Sequence, residues 1–316
     1  MNDTPTLIVV AGPTASGKTA LGIELAKKYG GEIVSADSMQ IYRGMDIGTA
    51  KATAAERAEV PHHMIDAAEP FESWSVSRWV EEADKCCRDI LSRGKIPVVV
   101  GGTGLYIDSL IAGRSFAEIR EDMHLRRELE EEYDRVGGER MLEKLREFDP
   151  ERALKLSAND RRRIVRAIEI YQLTGKTASE HDAETRALPP SYTAAYIVLS
   201  FKDRAVLYDR IDRRVDKMLA EGLFDEVRVL SEAGLDESCT AMQAIGYKEA
   251  AAALRGEMSG EEAAERIKRA SRRYAKRQLT WFSKHTEALR LERENVPDRE
   301  DERRLSSDFL AGFGLL

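Results

Sequence analysis

The sequence predicts an α/β fold, in which a parallel β-sheet is flanked by helices and interrupted by an all-helical insertion. Short apolar runs alternate with helix-length segments along most of the chain. In the middle of the chain the composition becomes highly charged and helix-forming, and no convincing strand occurs there. Alternating strands and helices are typical of a parallel sheet, because right-handed crossovers place helices on both of its faces.

Length and composition allow a substantial core. The 316 residues are 42% hydrophobic, which suits one large or two modest domains. No stretch approaches the roughly 20 apolar residues that a membrane span needs, and the N-terminus lacks the pattern of a signal peptide. The cysteines Cys86, Cys87 and Cys239 fit neither a disulfide framework nor a metal-binding spacing. We therefore expect a cytoplasmic protein with no membrane partner.

Five apolar runs are predicted strands. The first covers residues 6–11, and the others are EIVSAD at 32–37, HHMID at 62–66, IPVVV at 96–100 and AAYIVLSF at 194–201. The segment after the first strand, TALGIELAKKYG, has apolar residues at helical spacing and ends at two glycines. The chain therefore begins with a strand, a loop and a helix.

The charged middle segment is predicted to be a helical insertion over residues 117–188. Its end is marked by ALPPSY, because paired prolines cannot continue a helix. Residues 1–116 and 189–316 would form the α/β core with C-terminal helices. After the last predicted strand we expect helices to about residue 289, and then a charged surface tail, ERENVPDREDERRLSS.

The loop GPTASGKT at residues 12–19 matches the pattern G-x-x-x-x-G-K-[ST], and it lies between a strand and a helix. In such a P-loop, backbone N–H groups and the helix N-terminus face a phosphate, the lysine neutralises phosphate oxygens, and the last hydroxyl can ligate Mg²⁺. The pattern does not distinguish ATP from another Mg²⁺-bound diphosphate. The predicted phosphate-binding residues are Gly12, Pro13, Thr14, Ala15, Ser16, Gly17, Lys18 and Thr19, with Thr19 as the metal ligand.

A nucleotide hydrolase of this type also needs an acidic residue at the end of a second core strand. The run IPVVV leads instead into GGTGLY, which leaves Asp37 and Asp66 as candidates. From the residues alone, Asp37 suits a catalytic role and a helix cap equally well. A cap or turn role is favoured for Asp66.

Seven segments resemble the tRNA dimethylallyltransferase family. They are GPTASGKT, ADSMQIYRGMDIGTAK, PHHMID, VVVGGTGLYI, NDRRRIVRAIEIYQLTGK, AIGYKE and RRYAKRQLTWF, in this order. The resemblance implies a core similar to that of P-loop kinases. It also implies transfer of a dimethylallyl group from dimethylallyl diphosphate to the exocyclic N6 amine of the adenosine 3′ of the anticodon, with Mg²⁺ as cofactor and diphosphate as product. We expect the chain to act as a monomer on the tRNA anticodon stem-loop.

By the same resemblance, Asp37 is the general base, and Lys18 and Thr19 complete the catalytic set. The amine proton becomes acidic as the new C–N bond forms, so a carboxylate with an ordinary pKa near 3.9 can accept it. The residues implied to hold the adenine and the reacting groups near Asp37 are Ser38, Met39, Gln40 and Thr103.

A dense basic run, RIKRASRRYAKRQLTWFSK at residues 266–284, carries eight Lys or Arg and no acid. Such one-signed charge in a chain of net charge −7 favours RNA contact over a merely solvated helix face. The tRNA contacts predicted here are Arg273, Lys276, Arg277 and Gln278.

The insertion carries a second basic cluster, Arg161, Arg162, Arg163 and Arg166, after Asn159 and Asp160 as expected helix caps. By resemblance the insertion grips the anticodon stem-loop, and Arg126 is a further candidate. Arg162 stands where the family can have a glutamine, so its RNA contact stays open.

The segment QAIGYK at 243–248 resembles an anticodon-loop contact of the family. The predicted contacts are Gln243, Gly246, Tyr247 and Lys248, with the tyrosine ring as a stacking surface. A helix start with a core tyrosine is nearly as well supported by the residues alone.

His62 and His63 are adjacent but lack an accompanying carboxylate pair, so a structural role is favoured over a metal site. Trp74 and Trp79 are predicted packing residues. Two other functions remain open. One is a small-molecule P-loop kinase or an enzyme that prenylates free adenine nucleotides, and the other is an RNA-binding NTPase in which Asp37 serves Mg²⁺.

Overall fold

A computed structural model describes residues 4–114, 122–294 and 298–315. The chain divides into two compact units, Met1–Ile111 with Ser191–Leu316, and Ala112–Pro190. The predicted start of the insertion at residue 117 lies outside the described residues. Within the described ranges, no helix is long and apolar enough to cross a membrane.

The first unit contains one six-stranded sheet, and every pair of neighbouring strands is parallel. The strand order is β3-β2-β4-β1-β5-β6. The strands are β1 Thr6–Ala11, β2 Glu32–Ala36, β3 His62–His63, β4 Pro97–Gly101, β5 Thr193–Phe201 and β6 Leu289–Arg293.

Helices accompany this sheet before and after the second unit. Those before it are α1 Lys18–Lys28, α2 Ala54–Glu59, α3 Val76–Ser92 and α4 Gly104–Ile111. Those after it are α10 Arg204–Ala220, α11 Leu223–Glu232, a 3₁₀ turn Ala241–Gln243, α12 Tyr247–Leu254, α13 Gly260–Phe282 and α14 Arg299–Ala311.

The core lies around the central strand β1. Leu7, Ile8, Val9 and Val10 have no solvent exposure, as expected for a parallel strand covered on both faces. Helix α1 approaches β4 closely at Gly22, where an added Cβ would lie 2.5 Å from a methyl group of Val100. This packing fixes the N-terminus of α1 against the end of β1, where the phosphate loop begins.

The predicted strand at 62–66 is shorter than expected, because β3 covers only His62–His63. Met64 and Asp66 have φ values of 61° and 53°, which take the backbone out of the extended conformation. Asp66 accepts hydrogen bonds from Lys51 and Arg57 at 2.6 and 2.7 Å. Its role is therefore structural, in a turn.

The prediction of a charged surface tail after residue 289 is wrong. The segment instead forms β6, which pairs with β5, and then α14. Leu291 and Leu310 belong to the same core cluster as β1. Charged residues such as Arg293 and Glu302 are typical of a solvated surface. Their side chains are nevertheless only 6% and 10% exposed and form an ion pair with each other.

The second unit is helical in the described residues. Its helices are α5 Met123–Val136, α6 Gly138–Phe148, α7 Pro150–Ala153, α8 Arg161–Thr174 and α9 Ala178–Ala187. They enclose a core of their own that includes Leu145, Ile164 and Ile168. Asp160 stands at the N-cap position of α8, but its carboxylate accepts the backbone N–H of Ser157 at 2.9 Å instead of capping the helix.

Candidate active site

A cavity of about 350 Å³ lies in the first unit, at the carboxyl ends of β1, β2 and β4. This is where parallel α/β sheets place their ligands, because loops and helix N-termini converge there. Its walls come from the phosphate loop, the loop after β2, residues 48–52, and helices α10 and α13.

The phosphate loop forms one wall of the cavity. Thr14, Ala15 and Gly17 line it, followed by Lys18 and Thr19 in the first turn of α1. The rest of the predicted loop, Gly12, Pro13 and Ser16, is buried behind this lining. The structure therefore brings the predicted lysine and hydroxyl together at the N-terminus of a helix, where an anion is stabilised.

Two glycines make this loop possible. Gly12 has a φ of 145°, and an added Cβ would lie 2.6 Å from the carbonyl oxygen of Leu199 on the neighbouring strand. Gly17 has a φ of 84°, in the left-handed region that favours glycine. The sequence pattern places glycine at both positions for these steric reasons.

Lys18 is held inside the loop. Its Nζ donates to the carbonyl oxygen of Pro13 at 2.7 Å. Burial, and next the charge of Arg214, lower the pKa of Lys18 to about 7, while Asp37 opposes this shift. A bound anion would offset that burial, so the charge of Lys18 is coupled to occupation of the site.

Asp37 follows β2 and lines the same cavity. Its Oδ1 accepts the backbone N–H groups of Met39 at 2.9 Å and Gln40 at 3.4 Å. In the described part of the chain, Oδ2 has no hydrogen-bond partner. The carboxylate thus caps a turn with Oδ1 while the residue lines the cavity, so this geometry is compatible with both roles that the sequence left open.

Arg214 of α10 is a site residue that the sequence reasoning missed. It lines the cavity, and within the described residues its guanidinium forms no hydrogen bond or ion pair. Burial lowers its pKa, and the charge of Asp37 acts in the opposite direction. The sequence contains one signal that Arg214 faces inward. It lies at helical spacing from the apolar residues Ile211, Val215 and Met218, so it shares the buried face of α10.

Apolar side chains form another part of the wall. Ile211, Val215 and Met218 come from α10, Leu223 from α11 and Ile267 from α13. A cavity that combines cationic groups, one free carboxylate oxygen and an aliphatic wall can hold an anion joined to a small apolar group.

Thr19 is the predicted metal ligand. Thr19 lines the cavity, and no group of three His, Cys, Asp or Glu side chains occurs among the residues that the structure describes. This arrangement fits Mg²⁺, which in phosphate sites takes one or two protein oxygens together with phosphate oxygens and water. His63 binds Glu32 at 2.8 Å and His62 binds the Val60 carbonyl at 2.8 Å, in agreement with structural roles.

Comparison with known proteins identifies the family. The model described as IPP transferase matches residues 40–285, and the one described as isopentenyl transferase matches residues 5–67. The tRNA dimethylallyltransferase of Acetivibrio thermocellus is 48% identical over 309 residues, which cover 98% of each chain. The chain belongs to the tRNA dimethylallyltransferase family. The resemblance inferred from the sequence motifs is confirmed.

Other members of the family agree with this result. The tRNA dimethylallyltransferase of Bacillus licheniformis is 50% identical over 283 residues, covering 89% of both chains. The solved structure of the full-length tRNA isopentenylpyrophosphate transferase from Bacillus halodurans has a TM-score of 0.73 at 42% identity, covering 98% of this chain and 96% of that one. A eukaryotic dimethylallyltransferase acting on tRNA has a TM-score of 0.82 at 31% identity, covering 98% of this chain and 80% of that one. The predicted fold class is confirmed.

Around Asp37, the residues expected to hold the adenine are only partly free in this family member. Ser38, Met39 and Gln40 line the cavity, but Thr103 does not. The Thr103 hydroxyl accepts the Ser38 N–H at 3.3 Å. The Gln40 amide donates to two backbone carbonyls and accepts from Ser35, so it fastens the surrounding loop.

Gln278, for which an RNA contact is predicted, lines the cavity and has its side-chain amide bonded within the protein. The side chain is buried, its Oε1 accepts the Thr14 N–H at 2.9 Å, and its Nε2 donates to the Gly102 carbonyl at 3.0 Å. Both ends of the amide are used inside the protein. Gln278 thus anchors the phosphate loop to the end of β4.

The basic side chains of the run on α13 fall into two groups, one paired with acids and one exposed. Lys268 and Arg272 form ion pairs with acids of α10 at 2.7 and 2.5 Å, so they fasten two helices together. Arg273, Lys276 and Arg277 are exposed, and Arg277 also lines the cavity. These three remain available for an anionic partner.

The segment 243–248 contains one correction. Tyr247 is fully buried at the start of α12, and its hydroxyl donates to Glu226 at 2.5 Å. Its ring is therefore not a stacking surface, and the alternative that the residues left open, a helix start with a core tyrosine, is what the structure has. Its ring fills the space beside Gly48, where a Cβ would lie 2.4 Å from a ring carbon. Gln243 and Lys248 are exposed, and Gly246 lines the cavity with a φ of 102°.

In the second unit, the predicted arginines fall into two groups. Arg126 and Arg166 bind the fully buried Glu169, at 3.1 and 2.9 Å. Arg126 thereby joins α5 to α8, whereas the pair of Arg166 with Glu169 lies within α8. Both arginines keep partial exposure. Arg162 and Arg163 are exposed on α8. These two are the freer candidates for phosphate contacts.

Proposed function

We propose that this family member transfers a dimethylallyl group from dimethylallyl diphosphate to the N6 amine of the adenosine 3′ of the anticodon in tRNA, and releases diphosphate. The observation that carries the proposal is the shared cavity. The phosphate loop, Arg214 and Asp37 line one space with an aliphatic wall, and within the described residues Oδ2 of Asp37 has no hydrogen-bond partner.

Departure of the diphosphate is the first requirement of this reaction. The bond between the allylic carbon and oxygen breaks, its electron pair stays on the diphosphate, and negative charge grows there. Lys18, Arg214 and the loop N–H groups would stabilise that charge in the transition state, which lowers the barrier. Bound Mg²⁺, held at the Thr19 hydroxyl and the diphosphate oxygens, would supply further neutralising charge.

Removal of the amine proton is the second requirement. The adenine nitrogen forms a bond to the allylic carbon, and its N–H proton becomes acidic as positive charge develops. Oδ2 of Asp37 would accept that proton, while Oδ1 stays fixed by the Met39 and Gln40 amides. A rigid carboxylate suits general base catalysis, because alignment of the reactants contributes about 7 to 11 kcal/mol.

The tRNA substrate must present an unstacked base. Extruding an adenine costs a few kcal/mol, which contacts elsewhere on the RNA have to offset. We assign these contacts to Arg273, Lys276 and Arg277 beside the cavity, and to Arg162 and Arg163 in the second unit. We further propose that the protein works as a monomer in the cytoplasm, where tRNA is available.

A transfer assay tests the proposal. The protein is incubated with Mg²⁺, labelled dimethylallyl diphosphate and unmodified tRNA, and parallel reactions contain free AMP or ATP. Label should enter only the tRNA. Label in AMP would indicate an enzyme acting on free nucleotides, and phosphate release from ATP without label transfer would indicate an NTPase.

A further inference from the structure

The outer side of the phosphate loop is bound by two arginines that do not line the cavity. Arg210 of α10 donates from Nε to the carbonyl oxygen of Ala15 at 3.1 Å. Arg293, the last residue of β6, donates from Nη1 to the carbonyl oxygen of Ser16. The carbonyl oxygens of two consecutive loop residues, Ala15 and Ser16, are therefore bound by side chains that do not line the cavity.

Holding these carbonyls also sets the direction of the amides. In a trans peptide the C=O and the following N–H point in opposite directions. A Ser16 carbonyl fixed from outside turns the Gly17 N–H toward the cavity, and the Ala15 carbonyl does the same for the Ser16 N–H. Inward N–H groups are what a phosphate loop offers to an anion.

The loop needs such support because its backbone is unusual. Ala15 and Gly17 have φ values of 60° and 84°, and a left-handed conformation is unfavourable for alanine. An Nη atom of Arg293 lies where a Cβ at Gly17 would come within 2.6 Å, so the guanidinium packs directly against the loop.

Glu302 of α14 allows Arg293 to stay buried. Its two carboxylate oxygens accept from Nε and Nη2 of Arg293 at 2.5 and 2.6 Å. A buried guanidinium without a counter-charge is strongly unfavourable. β6 and α14 thus place an ion-paired guanidinium against the phosphate loop, outside the cavity lining.

We propose that Arg293 is a positioning residue for the diphosphate. Supported by Glu302, it orients the Gly17 N–H of the phosphate loop toward the anion without touching it. This inference rests on the proposed function, because it assigns the loop to a diphosphate.

The experiment separates positioning from folding. In the double variant Arg293→Met/Glu302→Met both buried charges are removed together, since replacing a buried ion pair by apolar residues often leaves stability unchanged. Loss of one aligned donor to a charged group should raise KM for dimethylallyl diphosphate and Kd for inorganic pyrophosphate about tenfold. The Tm and the Kd for tRNA should stay near the wild-type values.

Arg290→Met is the matched control. Arg290 lies on the same strand and also binds backbone carbonyls, those of Phe282 and His285, at 3.0 and 3.1 Å. These carbonyls are not part of the phosphate loop. Its removal should leave pyrophosphate binding unchanged.

A second variant covers the case in which the double variant does not fold. Arg293→Lys keeps the charge beside Glu302, but one ammonium cannot replace the three-way guanidinium contact with the carboxylate and Ser16. It should show the same rise in Kd for pyrophosphate.

Wild-type pyrophosphate affinity in a folded double variant, or in Arg293→Lys, would overturn the inference and leave Arg293 as a fold anchor. A wild-type protein that neither binds pyrophosphate nor labels tRNA would overturn the proposed function itself. Calorimetry with pyrophosphate alone distinguishes these two failures.

Discussion

Replacing Asp37 by asparagine tests the general base directly. Asparagine keeps a side-chain oxygen for the Met39 and Gln40 amides, which Asp37 now binds at 2.9 and 3.4 Å, but it cannot accept the adenine proton. Loss of a general base should lower turnover by about 10² to 10⁴, or about 3 to 5 kcal/mol of transition-state stabilisation. The turn and the affinity for tRNA should be preserved.

Comparison with Asp37→Ala separates chemistry from structure. Alanine loses the proton acceptor and both backbone hydrogen bonds, so it should be as slow as Asp37→Asn and also less stable by about 1 kcal/mol. Single-turnover label transfer at saturating substrates measures the first quantity, and thermal unfolding measures the second.

Asp236→Asn is the control for this comparison. Its Oδ1 accepts the N–H of Ser238 at 2.8 Å, a similar turn geometry outside the catalytic cavity, so turnover should not change. A rate for Asp37→Asn within tenfold of wild type would contradict the assigned base. Loss of tRNA binding in that variant would instead indicate a role in recognition.

Three further predictions concern the charges around the cavity. Because the pKa of Lys18 is lowered to about 7 and a bound anion favours its charged form, affinity for pyrophosphate should fall as pH rises above about 7. Calorimetry should show less of this decline in Lys18→Arg, whose side chain stays charged. Arg214→Met should lower kcat/KM for dimethylallyl diphosphate by about 10² to 10³, whereas the exposed neighbour variant Arg213→Met should not, and equal effects would refute a role in the cavity. Arg273→Ala and Arg277→Ala should weaken tRNA binding and reduce the slope of log K against log salt by about 1 for each lost phosphate contact; unchanged slopes in filter binding would rule out such contacts.

Local patterns predicted the elements that build the reaction centre. The phosphate loop depends on glycines and a lysine within eight positions of the sequence, and β2 ends beside Asp37 as predicted. Both follow from short-range sterics and hydrogen bonding, which neighbouring residues largely determine. The buried strands were equally visible as apolar runs, apart from the shortened β3 and the missing β6.

Burial of polar residues was not predictable in the same way. Gln278 looks like a surface group on a basic helix, and the residues around Tyr247 support a stacking surface and a core position almost equally. Both side chains are buried, with their polar atoms paired inside the protein. Arg293 and Glu302 likewise belong to a segment whose charges predict a solvated tail, yet they form a buried ion pair. Burial of a charged or polar side chain is unfavourable unless a specific partner pairs with it. That partner is often distant in the chain, and the sequence does not show which residues meet.

The sequence by itself determined the parallel α/β core and the phosphate loop and, through the resemblance of seven short segments, the family and the candidate base. Each of these patterns depends on residues close together in the chain. Only the tertiary structure brought Arg214 of α10 into the same cavity as Asp37 and placed Arg293 against the phosphate loop. The physical reason is distance along the chain. Arg293 and Ser16 are separated by 277 positions, and only the pairing of β6 with β5 and the packing of α14 bring them into contact.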